Sequence, residues 1–136
     1  MPLDRKDLLL LAELQRDGRV ANSALAARVG LSESACLRRV RLLEEQGYIE
    51  RYVAVLNAAK LGIGVGLLVR ITLKSQVDRE LKAFEAAVRA VPEVVECYLT
   101  TGESDYVLRV VARSAEDIER IHSKVLTKLP GVARVE

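Results

Sequence analysis

The stretch from residue 22 to residue 47 constrains the fold of this chain more than any other segment. Asn22 or Ser23 is a candidate cap for a first helix in this stretch, and Ser32 is a candidate cap for the helix that follows it. Gly30 lies between the two helices, where a tight turn needs a residue without a side chain. Two short helices joined in this way predict a helix-turn-helix, and double-stranded DNA is the first partner to consider for it.

The predicted third helix, residues 33–46, has two different sides. At about 100° per residue, three apolar residues fall together on the side that would pack on the other helices: Cys36, Val40 and Leu43. The opposite side carries four candidate base-reading residues: Ser34, Leu37, Arg38 and Arg41. Arg39 lies between the sides, where a phosphate or an internal carboxylate is a better partner than a base. A solvated basic face on an ordinary surface helix is the alternative to a recognition helix.

If this helix enters a major groove, each polar side chain has an expected role. Arg38, Arg41 and Ser34 would face base edges, and Leu37 is available for a thymine methyl group. Three further residues are expected to position phosphates: Arg28, Ser32 and Arg39.

The second half of the chain has the periodicity of alternating strands and helices. Strands are predicted at residues 65–73, 94–101, 106–112 and from 132, and helices at 78–91 and 115–129. The order strand-helix-strand-strand-helix-strand predicts a ferredoxin-like α+β sandwich. One face of such a sheet takes the helices, so we expect a second copy of the chain to cover the other.

A further strand is predicted at residues 48–56, leaving the first module, and a turn or short linker at 57–62. We therefore place a DNA-binding domain at residues 1–62 and an oligomerisation domain at 63–136. The last strand has barely begun at Glu136, so we expect it to be truncated.

The composition limits the classes of protein to which the chain can belong. Half of its 136 residues are hydrophobic, which is enough for a core and too much for a disordered chain. The net charge is only +2, and it arises within residues 1–62, where ten basic residues accompany eight acidic ones. We find no signal peptide and no apolar run of membrane-spanning length, so we predict a cytoplasmic protein with no membrane partner.

Residue types that carry catalysis or bind metals are sparse. Cys36 and Cys97 are far apart in the sequence and His122 is the single histidine, so no metal site is predicted. Both cysteines occupy apolar positions, and we expect buried, reduced thiols. The glycines at 62–66 lead into a strand, which is the wrong context for a phosphate loop. With no nucleophile–base pair either, we predict no enzyme, no catalytic residue and no cofactor.

Short motifs spread over almost the whole chain resemble the Lrp/AsnC family of transcription regulators. They are LD at 3–4, LQRDGR at 14–19, AARVGLS at 26–32, CLRRVRLLE at 36–44, GYI at 47–49, VVECY at 94–98, TGESDY at 101–106 and LPGV at 129–132. The resemblance implies a three-helix, winged-type helix-turn-helix joined to the effector domain called RAM. It also implies dimers that assemble further, often into octamers, and an amino-acid effector bound between dimers. Relatives usually carry proline where this chain has Ala58.

The loop between the second and third predicted strands is the candidate effector site. Its residues are Thr100, Thr101, Gly102, Glu103, Asp105 and the flanking Tyr106. Gly102 would let a ligand approach the main chain, and threonine hydroxyls with exposed amides can hold a carboxylate. Asp105 or Glu103 can hold an ammonium group. The alternative is a polar hairpin turn in which Asp105 accepts backbone hydrogen bonds, and Tyr106 fits strand packing equally well.

Two functions remain open at this point. The first is a sequence-specific regulator that responds to an amino acid. The second is an architectural protein that wraps or bridges DNA without any effector.

Overall fold

The computed structural model describes residues 2–136, and the chain forms two compact units. The first unit ends at Leu56 and the second is Asn57–Glu136. The boundary that we drew at residue 62 stays a prediction. Within residues 2–136, no helix combines the length and apolar character that crossing a bilayer requires.

Three helices form the first unit: α1 (Arg5–Arg16), α2 (Asn22–Val29) and α3 (Glu33–Glu45). Their buried core consists of Leu10, Leu25, Ala26, Val29, Cys36 and Leu43. The predicted cap of α3 is confirmed, because the Ser32 hydroxyl accepts a hydrogen bond from the Ala35 N–H at 3.2 Å. Gly30 ends α2 in the left-handed conformation, with φ +68°. Helix, tight turn and helix therefore follow one another as predicted.

The predicted cap of α2 is wrong. Ala21 occupies the capping position and makes no side-chain bond to the helix. Asn22 lies inside α2, and its amide donates to the Glu33 carbonyl at 2.8 Å. Asn22 therefore joins the starts of α2 and α3 instead of satisfying an N–H group of its own helix.

The strand predicted at residues 48–56 is also wrong. Residues 50–57 belong to no helix or strand, and Val53, Val55 and Leu56 are well exposed. A strand needs a neighbouring backbone for its hydrogen bonds. In the part of the chain that the structure describes, every strand pairing lies within the second unit.

The second unit contains four strands and two helical segments. They are β1 (Val65–Leu73), α4 (Asp78–Val88), β2 (Val94–Leu99), β3 (Tyr106–Ala112), α5 (Ala115–Arg120) and β4 (Val132–Val135). The strands form one antiparallel sheet in the order β2-β3-β1-β4. This arrangement confirms the α+β fold class and the predicted strand-helix-strand-strand-helix-strand order.

The second unit differs from the prediction mainly at its ends and bends. The predicted helix at 115–129 is α-helical only to Arg120, and it continues as a π-turn at Ile121–Val125 and a 3₁₀ turn at Leu126–Lys128. β4 is short but paired, and Glu136 exchanges backbone hydrogen bonds of 2.7 and 2.9 Å with Arg70.

The core of the second unit lies between the sheet and its helices. Its buried residues are Val69, Ile71, Leu73, Phe84, Val88, Tyr106, Leu108, Val110, Ala112, Ile121 and Leu126. Cys97 pairs with Leu108 and so shares this face, but β2 is an edge strand and leaves Cys97 exposed. The expectation of two buried thiols therefore holds for Cys36 and is wrong for Cys97.

Candidate DNA-binding surface and effector loop

The four candidate base-reading residues lie on one exposed side of α3. Ser34, Leu37, Arg38 and Arg41 line a shallow groove together with Leu42 and Glu45. Leu37 is 40% exposed although it is apolar. No ion pair among residues 2–136 involves Arg38 or Arg41, so both guanidinium groups are available to a ligand outside the chain.

Arg39 has an internal partner. Its Nη1 atom donates to Asp4 Oδ2 at 2.6 Å and to Asp7 Oδ1 at 3.0 Å. The hydrogen bond from Arg39 is the main reason that the pKa of Asp4 is lowered, and the bond to Asp4 is the main reason that the pKa of Arg39 is raised. Of the two kinds of partner considered for Arg39, the structure shows carboxylates.

Ser32 and Arg28, the other candidate phosphate contacts, each have a partner within the first unit. The Ser32 hydroxyl accepts the capping hydrogen bond from α3 and lies 3.4 Å from the Ser34 hydroxyl, and either hydroxyl can be the donor of that second bond. Arg28 Nη1 donates to Glu13 Oε2 at 3.3 Å, and about half of the Arg28 side chain is exposed. Both groups keep donors that could reach a phosphate.

Lys6 is a structural residue of this unit that the sequence analysis missed. Its Nζ atom donates to the carbonyl oxygen of Val29 and, at 3.4 Å, to that of Gly30. These carbonyls belong to the end of α2, where a cation also interacts favourably with the helix dipole. Nothing in the sequence around a lysine in the first turn of one helix indicates that it will bond to the end of a different helix.

In the second unit, the candidate effector loop is held at its base by hydrogen bonds. The Thr100 N–H donates to the Asp105 carbonyl at 2.9 Å, and the Thr100 hydroxyl donates to the Ser104 carbonyl at 2.6 Å. Thr101, Gly102 and Glu103 form the exposed tip. Gly102 has φ +121°, a conformation that other residues rarely adopt.

Asp105 joins the loop to the end of β1. Its Oδ2 atom accepts from the Leu73 N–H at 2.7 Å and from the Gln76 amide at 3.2 Å. This is the bonding expected for a polar hairpin turn. The second carboxylate oxygen, Oδ1, has no such bond among the described residues. Asp105 can therefore hold the loop and still offer one oxygen to a cation.

Tyr106, the last candidate effector residue, lies in the core. It is 1% exposed, and its ring centroid is 4.7 Å from that of Phe84. Its hydroxyl donates to Glu85 Oε1 at 2.7 Å. Burial, followed by the bond to Glu85, raises the pKa of Tyr106 well above its usual value. Within the second unit its side chain packs as a core residue.

The face of the sheet opposite the helices is open in the single chain. Leu68 is 73% exposed there, and Arg109 on the neighbouring strand donates to Glu96 at 2.8 Å. Tyr98 donates from its hydroxyl to the same carboxyl group at 2.9 Å. The face thus combines an exposed aliphatic side chain with a hydrogen-bonded polar group. No cluster of potential metal ligands occurs within residues 2–136.

Comparison with known proteins agrees with both units. Residues 3–50 match the family model described as winged helix-turn-helix DNA-binding, and residues 67–136 match the Lrp/AsnC ligand binding domain. The chain is 42% identical over 130 residues to the leucine-responsive regulatory protein of Salmonella typhimurium, covering 96% of this chain and 79% of that protein. It is 50% identical over 107 residues to the uncharacterized HTH-type transcriptional regulator y4sM of Sinorhizobium fredii, covering 79% and 84%.

A solved structure extends this similarity to three dimensions. The structure of a transcriptional regulator from Neisseria meningitidis in complex with L-Met superposes with a TM-score of 0.91 at 32% identity. The match covers 99% of this chain and 87% of that one.

Proposed function

The chain belongs to the Lrp/AsnC family of transcription regulators, and we propose that α3 is the element with which it reads DNA. The observation that carries this proposal is the exposed side of α3, where Arg38 and Arg41 lie beside Ser34 and Leu37 without a carboxylate partner. An arginine can donate two hydrogen bonds to guanine O6 and N7, and an aliphatic side chain can contact a thymine methyl group.

Two contacts to the DNA backbone accompany this surface in the proposal. Ser32 at the start of α3 can donate its hydroxyl hydrogen to a phosphate in place of Ser34, and Arg28 on α2 has N–H groups besides the one that meets Glu13. A donor at a helix start, such as Ser32, is suited to a phosphate oxygen, and phosphate contacts fix the register of the helix in the groove.

The test is the replacement Arg38→Ala, measured by gel-shift titration at one salt concentration on a site obtained by DNA selection. Loss of a bidentate base contact is expected to cost about 1–3 kcal/mol and to relax the base preference at that position. Arg79→Ala is the matched control, because it removes the same charge from an exposed position on α4. Unchanged binding by Arg38→Ala contradicts the proposed reading surface.

We propose further that the loop of the second unit binds an amino acid. The exposed tip at Thr101–Glu103 and the free Asp105 Oδ1 support this, because a free amino acid needs both a carboxylate site and an ammonium site. The L-Met complex of the Neisseria relative supports the same class of ligand.

Isothermal titration with each of the twenty amino acids tests the effector proposal. One or a few of them should release heat and raise the thermal midpoint of unfolding. Asp105→Asn should weaken that binding, whereas Glu116→Gln, an exposed carboxyl at the start of α5, should not. A panel with no heat and no thermal shift favours an architectural DNA-binding protein without an effector.

Self-association is the third part of the proposal. A second copy would cover the open sheet face around Leu68, and such dimers would assemble further, for example into octamers. An effector held between dimers would favour the assembly that completes its pocket and so change the spacing of the DNA-binding units. Sedimentation tests both steps. Leu68→Glu should shift the distribution toward monomer, and an oligomer distribution identical with and without the effector contradicts the coupling.

A further inference from the structure

The first turn of α1 contacts both helices of the helix-turn-helix. Asp4 and Asp7 form a reciprocal cap, in which Asp4 Oδ1 accepts from the Asp7 N–H at 2.9 Å and Asp7 Oδ2 accepts from the Asp4 N–H at 3.1 Å. Each carboxyl group therefore uses one oxygen for its own helix. The other oxygen of each, Asp4 Oδ2 and Asp7 Oδ1, accepts from Arg39 of α3.

The same turn also holds the end of α2. Lys6 donates to the carbonyl oxygens of Val29 and Gly30, which are the last residue of α2 and its cap. Three charged residues at the start of α1 thus bond to the other two helices: Lys6 to the end of α2, and Asp4 and Asp7 to the middle of α3. The start of α1 therefore bridges α2 and α3, in addition to the core that the three helices share.

The neighbours of Arg39 on α3 show why this contact bears on DNA binding. Arg38 and Arg41, the proposed base-reading arginines, are one and two residues away from it and are exposed. Arg39 itself is only 24% exposed, and its pairing with two carboxylates gives the three groups together a net negative charge. A phosphate would have to displace these carboxylates and approach their charge, so a backbone contact by Arg39 is unfavourable.

We propose that Arg39 is a positioning residue for DNA recognition, which sets the rotation of α3 through Asp4 and Asp7 and makes no contact with phosphate. This proposal rests on the proposed function of α3. It replaces the phosphate-contact role expected for Arg39 from the sequence. If Arg39 has this role, replacing either Arg39 or one of its aspartate partners reduces the preference of the protein for the selected site over unrelated DNA.

Arg39→Gln and Asp7→Asn, made in the full chain, test the proposal because the two roles of Arg39 predict different results. A positioning pair predicts that each variant lowers the ratio of specific to non-specific affinity by about tenfold, the equivalent of one misaligned base contact. It also predicts that the double variant lowers this ratio no further than the more severely affected of the two single variants does. The slope of log affinity against log salt concentration should stay close to that of the unchanged protein.

A phosphate contact predicts the opposite pattern. Arg39→Gln would then weaken specific and non-specific binding in parallel and reduce the salt slope by about 0.9. Asp7→Asn would strengthen both, because it would remove the charge of one of the two carboxylates that compete with a phosphate for the guanidinium group. Glu50→Gln controls for the loss of a negative charge, since Glu50 is exposed, lies outside α3 and has no ion pair among the described residues.

The readouts separate this proposal from the one on which it rests. All measurements are made well below the thermal midpoint of each variant, with the active fraction titrated, so that a loss of folded protein does not count as a loss of specificity. Unchanged specific binding by Arg38→Ala contradicts the proposed function of α3. If Arg38→Ala lowers the ratio of specific to non-specific affinity but neither Arg39→Gln nor Asp7→Asn does, the positioning role is overturned and the proposed function of α3 stands.

Discussion

The replacement Gly30→Ala measures how much stability the turn between α2 and α3 requires. Gly30 has φ +68° and ψ +44°, in the left-handed region, where a residue with a Cβ atom is less stable by about 1–2 kcal/mol. A Cβ atom at this position would also lie 3.0 Å from Lys6 Nζ. The lysine must then move, and its hydrogen bond to the end of α2 would be lost or weakened, at about 1 kcal/mol. The expected total is about 2–3 kcal/mol.

Gly47→Ala separates the two contributions. Gly47 has φ +79°, but a Cβ atom there would have no neighbour within 4 Å. This variant should therefore show the backbone strain alone, about 1–2 kcal/mol. The difference of about 1 kcal/mol between the variants measures the displaced lysine. In a Lys6→Ala background, Gly30→Ala should cost no more than Gly47→Ala.

Urea unfolding followed by circular dichroism at 222 nm is the assay, at one fixed protomer concentration because self-association changes apparent stability. The first unit is helical, so its transition dominates this signal. Equal costs for Gly30→Ala and Gly47→Ala would refute the role of Lys6. A Gly47→Ala variant as stable as the unchanged protein would refute the argument from left-handed backbone strain.

Three further predictions concern the second unit. The pKa of Asp117 is lowered to about 2, mainly by the hydrogen bond from the Arg113 N–H and then by the one from Arg120. The stabilisation from the ionised carboxylate is therefore complete above its ordinary pKa of 3.8 and is lost as the pH falls toward 2. In Asp117→Asn, the free energy of unfolding in urea should depend less on pH over this range. Tyr106→Phe removes the hydroxyl that donates to Glu85 and should lower the free energy of unfolding by about 1.5 kcal/mol, measured in the same assay. Of the two thiols, Cys97 should react with a thiol reagent in the native protein and Cys36 only after unfolding, and reaction of Cys36 at the rate of Cys97 would contradict the buried position of Cys36.

The sequence predicted the elements in which a periodic pattern coincides with local signals. β1 and β3 have the predicted bounds, and α3 begins after Ser32 as expected. Their burial follows the pattern of the residues, because alternate residues of a strand and every third or fourth residue of a helix share a face. The exposed side of α3 could be predicted for the same reason.

Contacts between distant side chains could not be predicted in this way. The partners of Arg39 are 35 and 32 residues away along the chain, and the partners of Lys6 are 23 and 24 residues away. Periodicity places a residue on a face, but the packing angle of two helices decides which groups on neighbouring faces meet. The same limit explains Asn22, which has the residue type of a cap and bonds to the next helix instead.

The strand predicted at residues 48–56 fails for a related reason that bears on assembly. Its β-branched and aromatic residues favour an extended backbone, but a strand also needs a partner, and residues 50–57 pair with no other strand. Cys97 and Leu68 are exposed for the corresponding reason, one at a sheet edge and one on a sheet face that the chain itself does not cover. The sequence pattern shows which residues favour burial or strand pairing. The single chain does not supply a packing or pairing partner for every one of them. For the sheet face around Leu68, the proposed second copy of the chain would supply the missing neighbours.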